Sequence, residues 1–205
     1  MLNPLRLVGI DRCSRIPRGM VRVDRAGVAL ARRETSFGGS PMNAKEAIKT
    51  ALKSTQNMAE MYLGDLSDAD LLVRPVPNAN HIAWQLGHLI DAEVSLLKDY
   101  FPAGTYPELP ARFAEQHNKS TAASDSPKGF GTKKEYLELF NKLRNATLAA
   151  LDKLPEKELD TPTRGNMAPF APTFGALLLL QSNHTLMHLG QFTVVRRKLG
   201  KPVLF

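Results

Sequence analysis

The feature that most constrains this chain is where its fourteen prolines fall. Proline removes a backbone donor and clashes with the preceding turn, so it is tolerated at the ends of long helices and not inside them. Pro41, Pro75 and Pro77, Pro102 to Pro127, Pro155 to Pro172, and Pro202 cut the chain into four long proline-free stretches. Each stretch carries helical start or stop signals. The first helix is expected from about Asn43, a good N-cap residue, to about Leu66, with Ala47, Ala51, Met58, Met61 and Tyr62 on its inner side. The second follows Asn80 and stops at Phe101, before Pro102. The third starts at Thr132, which forms a capping-box pattern with Glu135, and carries Tyr136, Leu139, Phe140, Leu143, Leu148 and Leu151 toward Leu154. Thr173 caps the fourth, and Gly200 followed by Pro202 ends it. The segment 102–131 is too long for a hairpin and suits a crossover, with a short helix near Ala111 to His117. No strand-like alternation and no internal repeat competes with this reading. The expected fold is all-α, a four-helix bundle with a long crossover between the second and third helices.

Charge narrows the function. The net charge of +7 is concentrated in residues 1–41, where eight arginines face three acids; the remainder holds 19 basic and 17 acidic residues. A near-neutral body lacks the basic stripe that phosphate binding requires, so nucleic acid is not an expected partner. No apolar run approaches the ~18 residues of a membrane span; Ala176 to Leu180 gives way at once to Gln181, Ser182 and Asn183. The single cysteine, Cys13, permits no internal disulfide and leaves the body without a thiolate, which suits a reducing cytoplasm. Residues 1–41, rich in Arg, Gly and Pro, read as a poorly ordered extension. The onset of helical pattern at Met42 fits a start codon assigned too far upstream. A mitochondrial-type presequence is the rival, weakened by the three acids and the helix breakers. The organisation expected is an extension over 1–41 and one bundle domain over 42–205.

Chemistry centres on histidine. His184 and His188 stand one helical turn apart on one face, and two imidazoles so held can grip one cation before a third ligand arrives. That third ligand must come from another helix. His88, in the middle of the second helix, is the natural candidate. His81 is expected to be a helix-start residue and His117 a solvent-exposed residue of the crossover. Trp84 and Gln85 share the face of His88 and either line the site or pack in the core. Gln191 is read as orienting a ligand or, equally, as an interhelical amide. Of the nearby carboxylates, Asp91, three residues after His88, is a better candidate base than Glu93.

Gly87-His88-Leu89, His184-xxx-His188-Leu-Gly190-Gln191 and the closing Arg196-Arg197-Lys198-Leu199-Gly200-Lys201-Pro202 resemble the DinB/YfiT-like family of metal-dependent four-helix bundles, over about Met42 to Phe205. The resemblance implies that His88, His184 and His188 bind a divalent metal, nickel or zinc first and iron or manganese next, with coordination positions left open. It implies a small-molecule substrate and leaves the reaction undecided. Three readings follow: a transferase using a low-molecular-weight thiol, a hydrolase using bound water, and a non-catalytic stress-response module stapled by its metal. A homodimer is the expected assembly.

Overall fold

The computed structural model describes residues 42–204 except 103 and 125–127. The expectation for residues 1–41 lies outside the described residues. Among the described residues there are five α-helices: α1 (Ala44–Leu63), α2 (Ile82–Tyr100), the single turn α3 (Phe113–Gln116), α4 (Lys133–Lys153) and α5 (Phe174–Lys198). No strand occurs among the described residues, although Pro162 and Thr173 form an isolated antiparallel bridge. Helix starts follow the side chains that can accept from exposed backbone N–H groups. Asn43 accepts from Glu46 N, and Thr132 and Glu135 close a reciprocal capping box. Thr173 accepts from Ala176 N. His81 caps α2 through Nδ1, which accepts from Trp84 N at 3.1 Å, as expected of a helix-start residue. At the C-terminus of α5 Gly200 adopts φ +68°, so that Lys201 N reaches back to Arg196 O at 2.9 Å and closes the helix.

Both α1 and α2 pack on α4 and on α5, so α1 and α2 lie diagonally across the bundle and α5 lies beside α2. The inner face of α1 differs from the expected one. Ile48, Leu52, Thr55, Ala59 and Leu63 are buried, whereas Ala47 and Met61 are exposed. Spacings of four and three residues from Ile48 to Leu63 follow the helical period more closely than the Ala and Met row beside them, and they place larger groups against α4 and α5.

The apolar core falls into two clusters. One contains Ala59, Leu63, Phe140, Leu143, Leu189 and Phe192. The other contains Leu52, Leu148, Leu151, Leu177 and Leu178. On α1, α4 and α5 the residues between these clusters are polar: Thr55, Arg144 and Thr147, and Ser182, Thr185 and His188. The bundle therefore carries a buried polar layer, and the site is built at that level.

The crossover is docked rather than loose, which corrects the reading of His117. His117 is 1% exposed, because its Nδ1 lies 2.8 Å from Phe113 O and its Nε2 lies 2.8 Å from Tyr136 Oη. Gly131 N donates to Tyr136 Oη at 3.2 Å, leaving the phenol proton for His117 Nε2 and the His117 Nδ1 proton for Phe113 O. Phe113 of the crossover and Tyr136 of α4 thus satisfy both ring nitrogens of a histidine whose position would otherwise suggest solvent. Gly87 makes room for it: a Cβ on Gly87 would sit 2.0 Å from His117 Cδ2. Gly→Ala inside a helix ordinarily gains about 1 kcal/mol. Here the sign should reverse, with Gly87→Ala costing about 3 kcal/mol, the upper end of overpacking, because a ring held at both nitrogens cannot swing aside. Urea unfolding measures it, and an unchanged or raised midpoint would show that the crossover moves away at little cost.

Candidate metal centre

His88 projects from the middle of α2, and His184 and His188 project from one face of the adjacent α5. One nitrogen from each of the three rings falls within 4.8 Å of the others. His184 Nε2 and His188 Nε2 stand 3.2 Å apart. Two nitrogens each about 2.05 Å from a tetrahedral zinc ion are about 3.3 Å apart, so this pair already has the separation that one ion requires. His88 and His188 ring centroids are 5.5 Å apart, and His88 and His184 are 5.1 Å apart. Among the described residues this is the one cluster of His, Cys, Asp or Glu with metal-holding geometry.

The surroundings fix which nitrogen faces inward. Gln85, fully buried, donates through Nε2 to Asn80 O at 2.8 Å, which leaves its Oε1 toward His188 Nδ1, also at 2.8 Å. His188 must therefore carry its proton on Nδ1, and its Nε2 lone pair points into the trio. Trp84 stacks on His88 with centroids 5.1 Å apart and planes 10° apart. Its Nε1 donates to Asn118 O at 3.1 Å and to Thr121 Oγ1 at 3.2 Å, so the crossover holds the ring that holds His88. Of the expected alternatives for Trp84 and Gln85, both belong to the site, one as a packing wall and one as a tautomer-setting partner. Gln191 does not: it is exposed.

The electrostatics suit ligation. Burial lowers all three rings from the ordinary histidine value, with His184 brought to about 4 and His188 to about 3, each further lowered by charge on a neighbouring ring of the trio. Asp91 opposes the shift at His88 without reversing it. The rings are consequently neutral at neutral pH, the form a metal needs. His117 is likewise lowered by burial. A group whose folded value lies below its unfolded value of 6.5 takes up its proton first in the unfolded chain. The metal-free protein should therefore hold its stability above pH 6.5 and lose it progressively as the pH falls below that value toward the lowered folded values. Melting temperatures of chelator-treated protein between pH 8 and pH 4.5 check this expectation; a flat profile would show that the rings protonate as readily folded as unfolded.

Neither carboxylate takes the role expected of a base beside the metal. Asp91 is half-buried and does not join the trio. Glu93 does point inward, but into an ion pair with Arg144, Oε2 to Nη2 at 3.1 Å, both side chains at most 2% exposed. That pair was not anticipated, although its signal was present: Glu93 lies between Leu89 and Leu97, and Arg144 between Phe140 and Leu148, both four-residue apolar rows.

Next to the trio, between α2, α5 and the loop before α5, a cavity of about 640 Å³ opens, with His184 in its wall. Trp84, the chain's single tryptophan, is also an optical probe of the centre. Adding nickel to metal-free protein should quench its emission and His88→Ala should abolish the response, because the indole stacks on that imidazole. Equal quenching in the variant would place the metal elsewhere.

The sequence profile of the DinB superfamily matches residues 51–192. No curated protein matches the chain. Solved structures share its fold, among them the following two. A conserved protein from Enterococcus faecalis superposes with a TM-score of 0.59 at 18% identity, covering 78% of this chain and 100% of its own. YfiT from Bacillus subtilis, a four-helix bundle of unusual topology, gives a TM-score of 0.56 at 15% identity, covering 80% of this chain and 92% of its own. With its three histidines carried on α2 and α5 of such a bundle, the chain belongs to the DinB superfamily.

Proposed function

We propose that the protein is a metal-dependent enzyme that transfers a low-molecular-weight thiol to an electrophilic substrate. The observation that carries this reading is a donor set of three neutral imidazoles, with no carboxylate grouped among them, beside a largely apolar cavity. A divalent ion held by three neutral ligands keeps its full charge and acidifies a thiol or a water brought to it. A thiol activated in this way needs no carboxylate base, because its proton can leave to solvent as the thiolate forms. The chain's own residues supply position. Gln85 orients His188, Trp84 braces His88, and His184 joins the metal centre to the cavity. No helix among the described residues is long and apolar enough to cross a membrane, and the expected partners remain small molecules.

The test is direct. Zinc- or nickel-loaded protein is incubated with 1-chloro-2,4-dinitrobenzene and each common low-molecular-weight thiol in turn. A carbon–sulfur bond forms, chloride leaves, the thiol proton passes to solvent, and the aryl thioether is followed by absorbance. Turnover with one thiol, lost in His184→Ala, is expected. Hydrolysis is the second reading, since three nitrogen ligands suffice to acidify water. YfiT, of the same fold, is described as a probable metal-dependent hydrolase. Ester turnover that needs no thiol would favour it over thiol transfer.

A further inference from the structure

The cavity beside His184 has a wall composition that restricts what it can take. Its α2 wall continues the row of His88 through Ala92 and Leu96 to Tyr100, and its α5 wall runs from Leu177 through Leu180 and His184 to Met187. Among the described residues no lysine or arginine lines it, and the single charged wall residue among them is Asp99, eleven residues past His88 and so about 16 Å along the helix axis. The third wall is a loop whose base is pinned: Thr163 N donates to Pro172 O at 3.0 Å and Phe174 N to Thr161 O at 2.8 Å. One residue past that base, Arg164 N donates to Tyr100 Oη of α2 at 3.2 Å, and the loop then runs on to its tip. That tip holds Phe170 at 76% exposure and Met167 at 40% over the mouth, facing Met187 at 55% on α5. Three large apolar side chains gathered at the mouth of an apolar cavity leave an unfavourable surface for a ligand to cover.

We infer that this cavity is the binding site for an uncharged apolar body, aryl or medium-chain acyl, of a substrate whose reacting end lies at the three histidines. The inference deepens the proposed function and rests on the trio holding a metal for that reacting end. It also separates the two substrates of the transfer. A peptide-like thiol carrying carboxylates would set them against an apolar wall and Asp99, so the cavity takes the electrophile and the thiol approaches from elsewhere. The loop tip and Met187 act as the specificity surface, selecting for apolar bulk.

Calorimetry on the full chain, zinc-loaded and metal-free, tests this with four probes: 6-phenylhexanohydroxamic acid, acetohydroxamic acid, suberic monohydroxamic acid and 6-phenylhexan-1-ol. The phenylhexyl hydroxamate should bind the zinc-loaded protein at least 30-fold more tightly than acetohydroxamate. The suberic compound, with a carboxylate at the far end, should gain less than threefold over acetohydroxamate. Ser95→Phe, at an exposed wall position, should weaken the phenylhexyl compound at least tenfold with zinc content unchanged, and Phe170→Ser should weaken it several-fold. Equal affinity for the phenylhexyl and acetyl hydroxamates, or indifference to both substitutions, overturns the inference. The alcohol has no metal-binding head, so it separates the two failures. Its binding to protein that takes up no zinc, lost in Ser95→Phe, upholds the cavity and refutes the metal reading. Equal binding of the phenylhexyl and acetyl hydroxamates to zinc-loaded protein, without any alcohol binding, upholds the metal and refutes the cavity.

Discussion

Replacing any one of His88, His184 and His188 with Ala is expected to empty the metal centre, lowering affinity by several orders of magnitude. The three nitrogens sit on two helices already packed side by side, so the protein presents a largely preformed site. Losing one nitrogen removes a bond and also the geometry that makes the other two act together. His81→Ala and His117→Ala should keep a full complement of metal. His81 uses its Nδ1 as a helix cap, and its loss should cost about 1 kcal/mol. His117 is engaged on both ring nitrogens by Phe113 and Tyr136, and its loss should lower stability more while leaving the trio in place. Gln85→Leu falls between the classes. It leaves the His188 Nδ1 proton without its acceptor, and changes of that kind weaken metal binding about 10- to 100-fold. Metal per folded protein, measured after dialysis against a fixed free-metal buffer, sorts the variants. A filled His88→Ala together with an emptied His81→Ala would move the ligand about two turns earlier, to the start of α2, and break the match to the His-containing motif.

The long helices and their ends were legible because their signals are local. Proline positions bounded them, and Asn43, Thr132, Thr173 and Gly200 perform the capping roles that their side chains or lack of one allow. The trio was legible because His184 and His188 share a rigid helix, and because His88 stands amid apolar neighbours on another. What escaped depends on long-range geometry. His117 reads as exposed from its place in a polar crossover, and only Gly87, an α2 residue thirty positions earlier, shows that the ring has somewhere to dock. Gln85 carries no mark that distinguishes a core amide from one that sets a histidine's tautomer until Asn80 O and His188 Nδ1 are both beside it. On α5 the usual amphipathic pattern is blurred for a functional reason. Its buried face includes Ser182, Thr185 and His188, while Leu179, Leu186, Met187 and Val194 are partly exposed. Periodicity alone therefore cannot say which side of that helix is inside.

Glu93→Ala is expected to lower stability by about 3–5 kcal/mol, the range seen when one partner of a buried ion pair is removed and the other is left uncompensated. Arg144 would be the stranded charge. Beyond Glu93 it has only neutral partners: Nη1 donates to Leu52 O at 3.3 Å and to Thr55 Oγ1 at 3.2 Å, and Nη2 to Thr185 Oγ1 at 3.1 Å. Thr147 Oγ1 donates to Glu93 Oε1, so the network joins α1, α2, α4 and α5 at the level of the buried polar layer. Its satisfaction is incomplete, since Arg144 Nε is buried without a partner. That orphan donor decides what the network is worth. A pair that is well hydrogen-bonded but carries one unmet donor stabilises little relative to apolar side chains of similar shape. The double variant Glu93→Leu with Arg144→Met should accordingly recover most or all of the loss seen in Glu93→Ala. Denaturant unfolding of the wild type, Glu93→Ala and the double variant closes the comparison. If the double variant is as unstable as Glu93→Ala, the ion pair itself stabilises the bundle. If it recovers while metal affinity falls more than tenfold, the pair's contribution is to hold Thr185, and with it His184, in register with His88 on α2.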